Sequence, residues 1–224
     1  MLLRSFILLL LCLLLRGPLP LARANGENSP LRIAVLGDSL AAGYGLAAAQ
    51  AFPAQLEAAL RGRGFNVSVA NAGVSGDTTA GGLARLDWTL AEAPHLVMVE
   101  LGANDALRGL STAAAAANLD AILTRLKQQG VQPLLAGMRA PRNLGRDYYD
   151  SFNAIYPRLA RKHDVPFYPF FLDGVVGDST LNQTDGIHPN ARGVAMIVEG
   201  ILPLVVQTIE KKMSDDTPTR GENR

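Results

Sequence analysis

The sequence predicts a three-layer α/β/α fold on a five-stranded parallel sheet. Two observations predict it. Short runs that are apolar throughout alternate with segments of helical period, and strands of that kind are buried on both faces, as in a parallel sheet covered by helices. The segment after a leader-like amino terminus is about 200 residues long, a length at which one α/β core buries enough apolar surface to stand alone.

The elements follow in order. Leu31 to Leu36, bounded by Pro30 and Gly37, is the first strand. Gln50 to Gly62 is a helix, with Phe52, Leu56 and Leu60 on one face and glycine at its end. Asn66 to Asn71 is the second strand, and Thr78 to Ala91 a helix with Leu83, Leu86 and Leu90 aligned. His95 to Leu101 is the third strand. Thr112 to Gln129 is a long alanine-rich helix, with Ser111 as its cap and Gly130 as its stop. Val131 to Met138 is the fourth strand, Arg146 to His163 a helix despite Pro157, and Val165 to Phe170 the fifth strand. Ala191 to Ile209 closes the fold, and a polar tail from Met213 (residues 213–224) is expected to be disordered. The fold domain is expected to span residues 25–212, without a second domain, repeat or linker.

The amino terminus reads as a secretory signal peptide over residues 1–24. Arg4 supplies the positive start, Phe6 to Leu15 an apolar core, and Ala22-Arg23-Ala24 a small-x-small cleavage site. A membrane-spanning helix needs roughly 20 apolar residues, so no stable membrane anchor is expected. A periplasmic or secreted chain starting near Asn25 is. Loss of Arg4, Arg16 and Arg23 takes 21 basic residues against 20 acidic to 18 against 20, a net charge of −2. Nothing in that balance points to nucleic acid. Cys12 is the only cysteine and lies in the leader. The exported chain therefore has no disulfide, thiolate nucleophile or cysteine metal site.

In open parallel sheets, ligands bind beyond the carboxyl ends of the strands. The loops there are Gly37-Asp38-Ser39-Leu40, Asn71 to Asp77 with Gly73, Ser75 and Gly76, Gly102-Ala103-Asn104-Asp105, and Asp185-Gly186-Ile187-His188-Pro189. Polar glycine-rich loops are ordinary in such folds. They do not account for a serine, an amide, a carboxylate and an imidazole on one edge. Of the three histidines, His95 and His163 fall at the amino edge, where His163 would face helix carbonyls. Only His188 follows a carboxyl end, which makes it the candidate general base. Asp185, three residues earlier, is placed to orient it. Ser39 is a nucleophile if the base reaches it, and otherwise a helix cap. Asp38 reads as a turn residue, Gly76 as a turn or a close approach to substrate, and Asn104 as an oxyanion donor or a loop cap. Asp105 reads as structural.

Gly37 to Leu40, Gly73 to Thr79, Gly102 to Asp105 and Asp185 to Pro189, in this order and spacing, resemble the blocks of the GDSL or SGNH hydrolases over roughly residues 30 to 208. Ser75 to Thr78, Gly82 to Leu86, Asn104 to Gly109 and Ala154 to Pro157 look closest to the periplasmic multifunctional thioesterase, lysophospholipase and arylesterase group of Gram-negative bacteria. The resemblance implies a flavodoxin-like fold and a Ser39, His188, Asp185 triad. It implies an oxyanion hole of Ser39, Gly76 and Asn104, and hydrolysis of acyl esters or thioesters without metal or organic cofactor. Ala106 stands where the closest relatives are expected to carry glycine.

Leu40, Tyr44, Leu107, Leu110, Met138, Pro141 and Leu144 are candidates for an apolar substrate groove, or else loop anchors. Arg108, Arg139, Arg142 and Arg146 meet an anionic group or form a solvated face. The partner expected is a small ester or thioester, and the chain a monomer. A carbohydrate O-deacetylase with the same triad, or a non-catalytic flavodoxin-like binding domain, are the competing readings.

Overall fold

The computed structural model describes residues 29–216. The expected signal peptide and residues 217–224 of the expected tail lie outside the described residues. The strands are β1 (Leu31–Gly37), β2 (Val67–Gly73), β3 (Leu96–Glu100), β4 (Gln132–Ala136) and β5 (Phe167–Tyr168). They form one parallel sheet in the order β2-β1-β3-β4-β5. The helices are α1 (Ser39–Ala42), α2 (Phe52–Gly62), α3 (Thr79–Ala84), α4 (Leu86–Ala91), α5 (Ala103–Leu107), α6 (Thr112–Gln128), α7 (Arg146–Asn153), α8 (Ile155–His163) and α9 (Ala191–Asp216).

The central strands β1 and β3 are buried because helices cover both sheet faces. Val35, Leu36, Val97, Met98 and Val99 have no exposed surface. On one side Phe52, Leu56 and Leu60 of α2 join the buried face of α9, which includes Val194, Ile197, Ile201, Val205 and Ile209. On the other, α6 contributes Leu119, Ile122, Leu123 and Leu126. Helix α9 is long and apolar enough to cross a membrane. Its apolar face is spent on the core of this sheet.

Four expectations are corrected. The helix expected over Thr78 to Ala91 is two helices broken at Arg85. Gly81 and Gly82 weaken the helix there, and Gly82 is needed because a Cβ would lie 2.2 Å from Leu101 Cδ1. The Arg146 to His163 helix divides at Ala154 because Pro157 has no N–H to offer Asn153 O. The fifth strand shrinks to two residues on the sheet edge, flanked by Pro166 and Pro169, which cannot donate to a ladder. Helix α9 continues to Asp216, through the start of the expected tail.

The order places β2 on one side of β1 and β3 to β5 on the other. The connection leaving β1 runs to β2 on one side and the connection leaving β3 runs to β4 on the other, and this switch point leaves a crevice at the carboxyl edge between them. Ser39 begins the first turn beyond β1.

Candidate active site

The turn after β1 is set by Asp38. Its side chain caps α1, with Oδ1 accepting from Leu40 N at 3.0 Å, and α1 ends after one turn at Gly43, where φ is +79°. The cap is thus Asp38 and not Ser39, which leaves the serine hydroxyl for other work. His188 Nε2 lies 2.9 Å from Ser39 Oγ. On the far side of the ring, Nδ1 lies 2.7 Å from Asp185 Oδ2. Asp185 also accepts from the backbone N–H groups of Ile187 and His188, both at 3.0 Å. Hydrogen bonds from the His188 side chain and from those two amides hold the Asp185 carboxyl at about 2, below its ordinary value of 3.8. It stays ionised and acceptor-only over the working range.

The His188 loop is tied down from both sides. Gln183 N donates to His188 O at 2.7 Å, and Gln183 Nε2 donates to Tyr44 O at 2.7 Å and Pro189 O at 3.0 Å. The Tyr44 ring lies against the imidazole, with centroids 4.5 Å apart. The sequence does not mark Gln183, because a glutamine in a polar loop carries no local signal.

Asn104 lies in the first turn of the short helix α5, which is entered through Gly102 at φ +116°. Its Nδ2 donates to Asp77 O at 2.9 Å and to Asp38 Oδ2 at 3.1 Å. Asp105 is buried and accepts from Thr79 N at 2.8 Å and Thr79 Oγ1 at 2.7 Å, latching α5 to α3. Gly76, at φ +85°, lies in the loop after β2. Its carbonyl accepts from Arg108 Nη2 at 2.9 Å. Arg85 binds this edge together, donating to Gly37 O at 2.8 Å and Ala72 O at 2.7 Å and pairing with Asp77.

Two carboxyls lie beneath Ser39. Asp38 is fully buried, and burial raises its pKa from 3.8 to about 6 against the lowering effects of its Leu40 and Asn104 hydrogen bonds. Glu100, also fully buried, accepts from Asp38 N at 3.3 Å. Burial, and then the Asp38 charge, push the Glu100 carboxyl well above its usual range. Its Oε1 makes no hydrogen bond among the described residues.

Ser39, Gly76, Asn104 and His188 all line one cavity of about 680 Å³. Leu40, Tyr44, Leu107, Met138 and Pro141 line it too, as the sequence suggests. Leu110 and Leu144 do not. After Gly109, at φ +61°, the chain turns away, and Leu110 donates its N–H to Asp105 O while its carbonyl accepts from Tyr148 Oη. The segment after β5 contributes Phe170, Leu172 and Val176, and helix α7 contributes Tyr149, walls that the sequence leaves unassigned.

His95 and His163 lie away from this edge. His95 Nδ1 accepts from Arg32 N at 2.9 Å. His163 Nε2 meets Asp120 Oδ1 at 2.6 Å, so the His163 ring engages a carboxylate on α6 and not the carbonyls of its own helix.

The model of the GDSL-like lipase/acylhydrolase family matches residues 35–196. Esterase TesA of Pseudomonas aeruginosa is 39% identical over 192 residues, covering 85% of this chain and 96% of that protein. The thioesterase 1/protease 1/lysophospholipase L1 of Escherichia coli is 46% identical over 157 residues, covering 70% and 74%. Among solved structures, TesA superposes with a TM-score of 0.75 at 39% identity, covering 79% of this chain and 99% of that one. AlinE4, an SGNH-hydrolase family esterase, superposes at 0.68 with 48% identity, covering 81% and 97%. With its four sequence blocks gathered at one carboxyl edge, the chain belongs to the GDSL-like lipase/acylhydrolase family.

Proposed function

We propose that this chain hydrolyses carboxylic esters and thioesters of acyl chains through an acyl-enzyme on Ser39. The observation that carries the reading is the relay from Asp185 Oδ2 through both nitrogens of His188 to Ser39 Oγ, at 2.7 and 2.9 Å, opening on a cavity walled by leucine, methionine and aromatic side chains. Such walls suit an acyl chain better than a sugar.

His188 Nε2 takes the Ser39 proton as Oγ bonds to the carbonyl carbon. Asp185 holds the tautomer and stabilises the imidazolium. The oxyanion is received by the N–H groups of Ser39 and Gly76 and by Asn104, which gives up one of its present acceptors to do so. The imidazolium then protonates the departing alcohol or thiol. Water, deprotonated by His188, attacks the acyl-enzyme and releases the acid, restoring Ser39. No step needs a metal or cofactor. The leader pattern in residues 1–24 supports export to the periplasm or beyond.

The test is fluorophosphonate labelling together with steady-state rates on p-nitrophenyl esters and acyl thioesters. Wild type should label once, at Ser39. Ser39→Ala, His188→Ala and Asp185→Ala should each lose most turnover, and the losses should not add. Unchanged turnover in Ser39→Ala or His188→Ala would sink the reading.

A further inference from the structure

We propose that Arg139 and Arg142 form an anion subsite in the wall of the cavity, which takes a carboxylate or phosphate carried by the ester substrate at a distance from the scissile carbonyl. The proposal rests on the Ser39 reading for the identity of that substrate.

Both arginines sit in the loop after β4 and line the same cavity as Ser39 and His188. The loop is pinned. Gly137 N donates to Tyr168 O at 2.8 Å, Phe171 N to Gly137 O at 2.8 Å, and Ala140 N to Asn153 Oδ1 at 3.0 Å. Each guanidinium is laid over an aromatic ring. Arg139 Cζ is 4.5 Å from the Phe170 centroid, and Arg142 Cζ is 4.8 Å from that of Tyr149. Phe170 and Tyr149 line the cavity as well.

A guanidinium held against a ring has lost much of its rotamer freedom, while its N–H donors still point outward in its own plane. It is thereby prepared to grip a carboxylate or phosphate. Arg61, Arg85, Arg125 and Arg146 each meet a carboxylate. Among the described residues, neither Arg139 nor Arg142 has one within 4.0 Å. The remaining cavity wall is largely apolar, so the ligand that fits both parts is an amphiphile. Ser39 follows β1 and the arginines follow β4, with β3 between. Two strand spacings put the anion on the order of 10 Å from the carbonyl. It belongs either to the acyl arm, as in a half-ester of a dicarboxylic acid, or to the leaving group, as in a lysophospholipid phosphate.

Two matched series separate these sources. The first compares p-nitrophenyl half-esters of straight-chain dicarboxylic acids with their methyl-capped neutral twins. The second compares 1-acylglycerol 3-phosphate with 1-acylglycerol. The ratio of kcat/KM, anionic over neutral, is taken within each protein, so any general loss of turnover in a variant cancels. At low salt, wild type should favour the anion by about tenfold in one series, and the series identifies the arm. The ratio should shrink as salt rises. It should approach one in Arg139→Gln/Arg142→Gln and recover in part in Arg139→Lys/Arg142→Lys, which keeps the charge. Equilibrium binding of the same pairs to Ser39→Ala gives a readout independent of turnover. A ratio at or below one in both series, or a ratio unchanged in the double glutamine variant, overturns the subsite. If neutral esters turn over without anion preference in rate or binding, the subsite fails and the hydrolase stands. If nothing turns over but Ser39→Ala binds the anionic twin more tightly, and loses that preference with both arginines replaced, the hydrolase fails and the subsite stands.

Discussion

Asp38 Oδ2 accepts a hydrogen bond from Asn104 Nδ2 at 3.1 Å, joining two loops separated by 66 positions in the chain. The other oxygen of the same carboxylate caps the turn that carries Ser39. One buried carboxylate therefore positions both the proposed nucleophile and the proposed oxyanion amide. The sequence marks Asp38 as a turn residue. The structure adds the second partner, and with it a coupling between the first and third loops.

That burial has a signed consequence. Asp38 titrates near 6 when folded, against an ordinary 3.8. Between about pH 4 and 6 the folded chain keeps a proton that the unfolded chain has lost, so the contribution of Asp38 to stability falls as pH rises through that window. Glu100 shifts in the same direction. Relative to wild type, Asp38→Asn should gain about 2 kcal/mol of stability between pH 4 and pH 7, whatever its offset at pH 4. Urea unfolding of both proteins at four pH values checks this. A difference that stays flat, or moves toward wild type, contradicts it.

Asn104→Ala should lower both stability and chemistry. Loss of the Asp38 and Asp77 hydrogen bonds leaves a buried carboxylate short of a donor, at a cost of about 1–3 kcal/mol. Loss of an oxyanion donor should lower kcat by about 10²–10³, with KM little changed. Active-site titration separates the two effects. A destabilised variant whose titrated kcat equals that of wild type would remove Asn104 from the chemistry and leave the oxyanion to backbone amides.

Gly102 makes the turn from β3 into α5. A Cβ there would lie 2.1 Å from Tyr156 Oη, which is buried and donates to Leu101 O, and φ is +116°. Gly102→Ala should destabilise by about 2–4 kcal/mol through combined backbone strain and overpacking. Gly64→Ala makes the contrast, since its φ is +88° with nothing within 4 Å of the added carbon. It carries the strain alone and should cost about 1 kcal/mol. Equal losses at the two sites would show that Tyr156 yields freely.

Export is read from the leader alone. The exported chain should begin at Asn25 or within a few residues of it. Amino-terminal sequencing of active protein from the periplasmic fraction checks this. An intact leader on active cytoplasmic protein would defeat it.

The legible parts of the fold were those governed by local pattern. The apolar runs of β1 and β3 announce themselves because a strand covered on both faces must be apolar throughout. The capping Ser111 and the stop at Gly130 bracket α6 for equally local reasons. Hydropathy overstates the two-residue β5 because Val165 and Phe170 are buried although they lie outside the strand, and burial alone does not distinguish the two cases. Gly81 and Gly82 weaken the helix before Arg85, but the break itself also depends on hydrogen bonds from the Arg85 side chain to Gly37 O on β1 and Ala72 O on β2, which no local pattern carries.

By itself the sequence determined the alternation that makes a parallel sheet, the loops that fall at its carboxyl edge, and the Asp185 and His188 pair, which needs only one turn to form. Tertiary structure alone decided that His188 reaches Ser39 across 149 positions, that Asp38 holds Asn104, that Leu110 turns out of the cavity, and that Arg139 and Arg142 line it. The physical reason is the range of the forces concerned. Periodicity and capping act within a turn or two of chain. Contacts between loops depend on the order in which strands pair and on where distant hydrogen bonds anchor each loop, and no local run of residues carries that information.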